Sequence, residues 1–126
     1  MLQDCDSGKR ALRFGYSTAK RVADHLGAIL IEPGKSNKAI WNNRKIAIKS
    51  TNKGNAQIKI TVNILNWADA IIVAIQDEDG DFTIYEISSS WYRGKMKSSR
   101  QSQFKMTSTS KIRSIGKKLE RINGNN

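Results

Sequence analysis

Between Asp69 and Gln76 the chain reads AIIVAI, an unbroken apolar run dominated by β-branched residues. It is shorter than an ordinary helix and flanked by polar residues, which predicts a central strand buried on both faces. Such a strand needs a sheet around it and helices packed against that sheet. Asp79-Gly80 follows as a turn signal, and Phe82 to Ile87 alternates as the returning antiparallel strand.

Upstream, Ser17 reads as an N-cap, Ala19, Val22, Ala23 and Leu26 recur at helical spacing, and Gly27 supplies a stop. Ala28 to Ile31 reads as a short strand ended by Pro33-Gly34. Lys38 to Trp41 and Arg44 to Ser50 form a predicted hairpin, because Asn42-Asn43 tolerates the positive backbone angles of a tight turn. Thr51 to Asn55 is a polar loop. Gln57 to Ala68 fits both periods and is read as an extended entry followed by a short helix around Val62 to Trp67. Ser88 to Ser90 is placed to cap a short helix near Trp91.

Downstream, MKSSRQSQFKMTSTS has little to bury and is expected to be disordered or ordered only on binding. SKIRSIGKKLERI, with Ile112, Ile115 and Leu119, reads as a final amphipathic helix interrupted by Gly116. The expected organisation is an irregular arm over residues 1–15, an α/β core over 16–95, and a basic linker with a C-terminal helix over 96–126. There is no internal repeat. The fold class is α/β (α+β), a mixed sheet flanked by helices.

Charge narrows the function. The chain carries 22 Lys and Arg against 11 Asp and Glu, a formal +11, which is self-repelling in a compact state unless a polyanion offsets it. From Arg93 to Asn126 ten basic residues face a single acid, Glu120. Nucleic acid is the expected partner. Its phosphates would be met by Lys35, Lys38, Arg44, Lys45, Lys49 and Lys53 around the hairpin. A second group is Arg93, Lys95, Lys97, Arg100 and Lys105, and a third is Lys111, Arg113, Lys117, Lys118 and Arg121. Trp41, Trp91, Tyr92 and Phe104 are the few aromatics placed to stack on bases or anchor the tail, while Trp67 and Phe82 read as core. So few stacking groups favour duplex or structured nucleic acid over a single-strand platform.

Other classes fall away. A lone Cys5 and a lone His25 preclude an intramolecular disulfide and a Cys/His zinc cluster. No apolar run approaches the roughly 20 residues of a membrane span, and MLQDCDSGKR lacks the apolar stretch of a signal peptide. The expectation is an intracellular protein, cytoplasmic and nucleoid-associated or equivalent, with no membrane partner.

The stretch RKIAIKSTNKGNAQIKITVNILNWADAIIVAIQDEDGDFTIYEISSSWYRGKM, Arg44 to Met96, resembles the central part of the PD-(D/E)xK restriction-endonuclease-like superfamily. The likeness lies in a strand ending in Lys and Ser, a glycine-bearing polar loop, WADAIIVAI, a turn, and FTIYEISSSW. With the preceding helix and strands it matches that family's core across roughly two-thirds of the chain. The resemblance implies a restriction-endonuclease-like sheet, DNA as the favoured partner over RNA, and Mg²⁺ held by carboxylates beside a lysine. Lys49 takes the lysine position. The acid belongs two residues earlier on the same strand face, and there the chain has Ala47.

Two arrangements follow. Either the acid has migrated, with Glu32 and Asp69 as the candidate metal ligands beside the catalytic Lys49, or the centre is vestigial and the fold is a basic platform. Each residue also has a plainer role: Glu32 as a solvated strand-end acid, Asp69 as a strand bracket, Lys49 as a surface lysine, and His25 against a helix dipole. The functional candidates are therefore a divalent-metal-dependent nuclease and a non-catalytic, nucleic-acid-binding subunit, alone, as a homo-oligomer or with a partner protein. A third is an interaction or inhibitor protein of a nucleoprotein assembly.

Overall fold

A computed structural model describes residues 15–32, 36–52, 57–95, 97–98 and 104–123. Its centre is the predicted strand, β5 (Ala70–Gln76), whose first six residues are buried. Alternation sends Ile71, Val73 and Ile75 into one apolar cluster and Ala70, Ile72 and Ala74 into another on the opposite face. That two-sided burial is why the run is continuously apolar.

Helix α1 covers residues 15–26, and Gly27, at a φ of 76°, ends it. The helix is already under way at residue 15, so Ser17 lies within it and does not cap it. Its Ala19, Val22 and Ala23 pack on one face of a six-stranded sheet ordered β1-β2-β3-β5-β6-β9. Here β1 is Ile29–Leu30, β2 is Lys38–Trp41, β3 is Arg44–Thr51, β6 is Phe82–Ser88 and β9 is Lys117–Ile122. Only β3 and β5 are parallel; every other neighbouring pair in that sheet is antiparallel.

The hairpin turn is as expected: Asn42 and Asn43 have φ of 51° and 61°, the pairing of a type I′ turn. The parallel crossover from β3 to β5 runs through β4 (Gln57–Thr61) and α2 (Val62–Trp67), the extended entry and short helix read from the sequence. Thr61 caps α2 by accepting from Ile64 N. With α3 (Ser89–Lys95) and α4 (Thr109–Ile115), these elements cover the sheet face opposite α1. Ser88 Oγ accepts from Trp91 N at 3.1 Å, which caps α3 as anticipated.

Two further expectations are corrected. The polar segment after α3 is not simply unstructured: β7 (Lys97–Ser98) and β8 (Phe104–Ser108) pair antiparallel, and β8 pairs with β4 in a second sheet ordered β4-β8-β7. The partner strand β4 supplies the apolar burial, with Ile58 and Ile60 at 2 % and 1 % exposure.

The final helix also stops early, at Ile115. Gly116 caps it through N–H to Ile112 O at 2.8 Å, and the chain leaves as β9, pairing with β6 at the sheet edge. A register shift opposite Ile84/Tyr85 places one extra residue, Leu119, between the partners Lys118 and Glu120. This bulge lets Leu119 and Ile122, three apart, both pack on the α1 face. In sequence that spacing imitates a helix.

Candidate nucleic-acid interface

Lys45, Ala47 and Lys49 lie on one face of β3 by strand alternation, and Lys38 stands directly opposite Ala47 on β2. The face is identified by Ala47, fully buried in the cluster shared with α2, α3 and α4. Three lysines therefore surround the position at which the resemblance would place an acid.

Trp67, at the end of α2, packs against this cluster, and its ring carries two of those lysines. Lys38 Nζ is 5.0 Å and Lys45 Nζ 5.9 Å from the ring centroid. The residue is not pure core: its ring also lies within cation–π range of two basic side chains. The third lysine, Lys49, is half-buried, and desolvation lowers its pKa from the ordinary lysine value. Among the described residues no acid pairs with it.

The proposed acids stand elsewhere. Asp69 brackets the parallel strand pair: its Oδ2 accepts from Lys45 N at 3.0 Å, and its own N–H donates to Lys45 O at 2.7 Å. Lys49 lies four residues further along β3, about 13 Å away at roughly 3.3 Å per residue. Glu32 is exposed in the bend after β1, where its carbonyl accepts from Ser36 N at 3.0 Å. Two strand spacings, about 9–10 Å, separate β1 from β3. Among the described residues no cluster of three metal-ligating side chains forms. An Mg²⁺ site needs several oxygens at about 2.0–2.1 Å in octahedral array, and among the described residues no carboxylate pairs with Lys49.

Of the other candidate cations, some make ion pairs among the described residues and some do not. Arg44 Nη1 donates to Glu86 Oε2 at 2.9 Å, a hydrogen bond that raises its pKa, and its guanidinium lies 5.3 Å from the Trp41 ring centroid. Arg113 and Arg121 face the turn after β5, each 3.7 Å from Asp77, and Arg121 also pairs with Asp79 and Asp81. Arg121 is therefore committed to an acidic turn, where its pairing with Asp79 raises its pKa. Asp79 is held below the ordinary carboxylate range by the Asp81 backbone N–H and by Arg121. Four acids within Asp77 to Asp81 were the sequence signal for this arrangement.

By contrast, Lys111, Lys117 and Lys118 are exposed and, like Lys38, Lys45 and Lys49, make no ion pair among the described residues. Lys45 at the start of β3 and Lys117 and Lys118 at the start of β9 reach the same end of the main sheet. Three strand spacings, about 14 Å, separate the two strands. The acidic turn lies at the opposite end.

Arg93 and Lys95 are on α3, Lys97 on β7 and Lys105 on β8. Lys35, Lys53 and Arg100 lie outside the described residues. Two aromatic assignments also resolve. Tyr92 is fully buried and its hydroxyl donates to Ile58 O at 2.9 Å, so it belongs to the core and not to a stacking surface. Trp41 Nε1 donates to Leu26 O at 3.0 Å and ties β2 to the end of α1. No helix among the described residues is long and apolar enough to cross a membrane.

No family model matches the chain, and no curated protein sequence matches it.

Proposed function

We propose that this chain is a nucleic-acid-binding protein, with DNA the favoured partner, built on a restriction-endonuclease-like core that grips the phosphate backbone without cutting it. The observation that carries this reading is the way charge is partitioned. Arg44, Arg113 and Arg121 are tied to acids within the fold, while Lys38, Lys45, Lys49, Lys111, Lys117 and Lys118 have no acidic partner among the described residues.

Lysine ammonium groups act as point charges toward phosphate, whereas reading guanine edges calls for the bidentate geometry of arginine. The expected binding is accordingly strong in its salt dependence and weak in its sequence preference. The polarity of the sheet supports an orientation, with the lysine-bearing end toward nucleic acid and the acidic turn away from it.

The non-cleaving part of the reading rests on Ala47. A buried methyl group replaces the metal-binding acid, and Lys38 across the hairpin adds positive charge where a divalent cation would have to sit. Titrating labelled duplexes of several sequences at increasing salt tests the binding, and incubating plasmid with Mg²⁺ or with chelator tests the chemistry. The expected result is salt-steep, sequence-tolerant binding that chelator leaves unchanged, with no nicking. Absence of salt-dependent binding overturns the reading; metal-dependent nicking that disappears in Lys49→Ala overturns its non-cleaving part.

A further inference from the structure

Two lysines on one indole is an arrangement that ordinary surface charge does not explain. Lys38 is on β2, Lys45 on β3 and Trp67 at the end of the crossover helix, so three separate elements bring these groups together. Like charges so gathered repel, and the ring quadrupole offsets only part of that repulsion. Asp69 uses a carboxylate oxygen on the Lys45 backbone N–H, Arg44 is bound to Glu86, and Lys49 adds a third positive charge on the same face.

The geometry also lowers the cost of binding. A free lysine side chain gives up much of its rotamer freedom when it is fixed. Here both ammonium groups already lie within cation–π range of one ring, at 5.0 and 5.9 Å from its centroid, and that attraction favours conformers an incoming anion can use. Trp67 presses its ring against the core and presents those cations, which suits a backbone phosphate and does not suit base stacking.

We propose that Lys38 and Lys45, held on the Trp67 ring, form a two-lysine clamp that takes one phosphodiester group of a nucleic-acid backbone without a metal ion. The clamp rests on the nucleic-acid reading above and gives it a defined contact point. Each ammonium donates a charge-assisted hydrogen bond to a different non-bridging oxygen.

The test uses the full chain, a fluorescently labelled DNA duplex, and the Trp67 indole N–H resonance, assigned with Trp67→Phe. The double variant Lys38→Gln/Lys45→Gln is compared with Lys111→Gln/Lys118→Gln, which removes equal charge elsewhere. Circular dichroism and thermal melting establish that both are folded. The clamp variant is expected to bind duplex at least tenfold more weakly than the control variant and to lower the salt slope by about two, one per lysine. The Trp67 resonance is expected to shift on adding duplex, in chelator as in Mg²⁺, and to stay fixed in the clamp variant. Equal losses in the two double variants, or a Trp67 signal indifferent to duplex that the wild type binds, overturn the clamp and leave the general reading standing. If the wild type binds no nucleic acid, that reading fails; inorganic phosphate then tests the clamp as an anion site, and an unmoved Trp67 signal overturns it too.

Discussion

Lys38 and Ala47 face each other as direct cross-strand partners in the β2–β3 hairpin, a cation against a buried methyl group. Lys49, two residues beyond Ala47 on the same strand face, makes no ion pair among the described residues. Its environment governs the first two predictions.

Lys49→Met keeps the aliphatic volume and removes a desolvated charge. It is expected to stabilise the fold by about 1 kcal/mol at neutral pH, because a half-buried, desolvated cation with no acidic partner among the described residues is unfavourable. Urea unfolding of the two proteins checks this, and a loss of stability of similar size would contradict it.

The pH dependence has a definite sign. The folded-state pKa of Lys49 lies below its ordinary value of 10.5, so approaching that value the unfolded chain holds the proton more tightly than the folded one. Its contribution therefore makes stability rise with pH between the depressed folded value and 10.5. Comparing the slope of unfolding free energy against pH for wild type and Lys49→Met isolates it: the variant is expected to lack the increment.

Gly116→Ala tests the return of the chain to the sheet. A Cβ there would stand 2.7 Å from Ile112 O and 3.1 Å from Tyr85 Cβ, and backbone must shift to admit it. The expected cost is about 1–3 kcal/mol, with faster amide exchange in β9 than elsewhere in the main sheet. Uniform exchange would show that β9 does not depend on this close approach.

Tyr92→Phe removes the donor to Ile58 O and leaves that buried carbonyl without its phenolic partner. A loss of about 1–3 kcal/mol is expected from denaturant unfolding. Burial holds the hydroxyl's pKa far above the ordinary tyrosine value, so Tyr92 is expected to remain protonated through an alkaline absorbance titration until the protein unfolds.

Arg121→Gln releases the acidic turn from β9. Asp79 has a depressed pKa, so the stability it contributes is present above the ordinary Asp value of 3.8 and is lost as pH falls through the folded value. The substitution is expected to weaken that acid-dependent step, seen as a smaller change in β9 exchange on acidification.

The core strands were legible because their patterns are local. AIIVAI, Asn42-Asn43 and Asp79-Gly80 each specify a conformation through a few adjacent residues, and the structure follows them. Segment 57–67 was readable for another reason: β4 alternates its apolar residues, and Thr61 supplies the cap that starts α2.

β8 and β9 were not legible, because their strand character comes from their partners. β8 borrows the apolar face of β4, and the bulge at Leu119 disguises strand packing as helical spacing. The site was half readable. Lysine density marked the hairpin, but Trp67 joins Lys38 and Lys45 only through the crossover, and nothing in local sequence reveals that convergence.

The single parallel join between β3 and β5 also bears on how the chain finds its fold. The β2–β3 and β5–β6 hairpins close over short turns, events of microseconds, whereas pairing Ile46 with Ala70 must wait for the whole β4–α2 crossover to be spanned. β9 reaches β6 across a longer interval still, after α3, β7, β8 and α4. The lysines of β3 and β9 therefore come to share one end of the sheet late. Positive charge accumulates at that end only once most of the apolar surface is available to hold it, and a polyanion present during folding would favour the closing step.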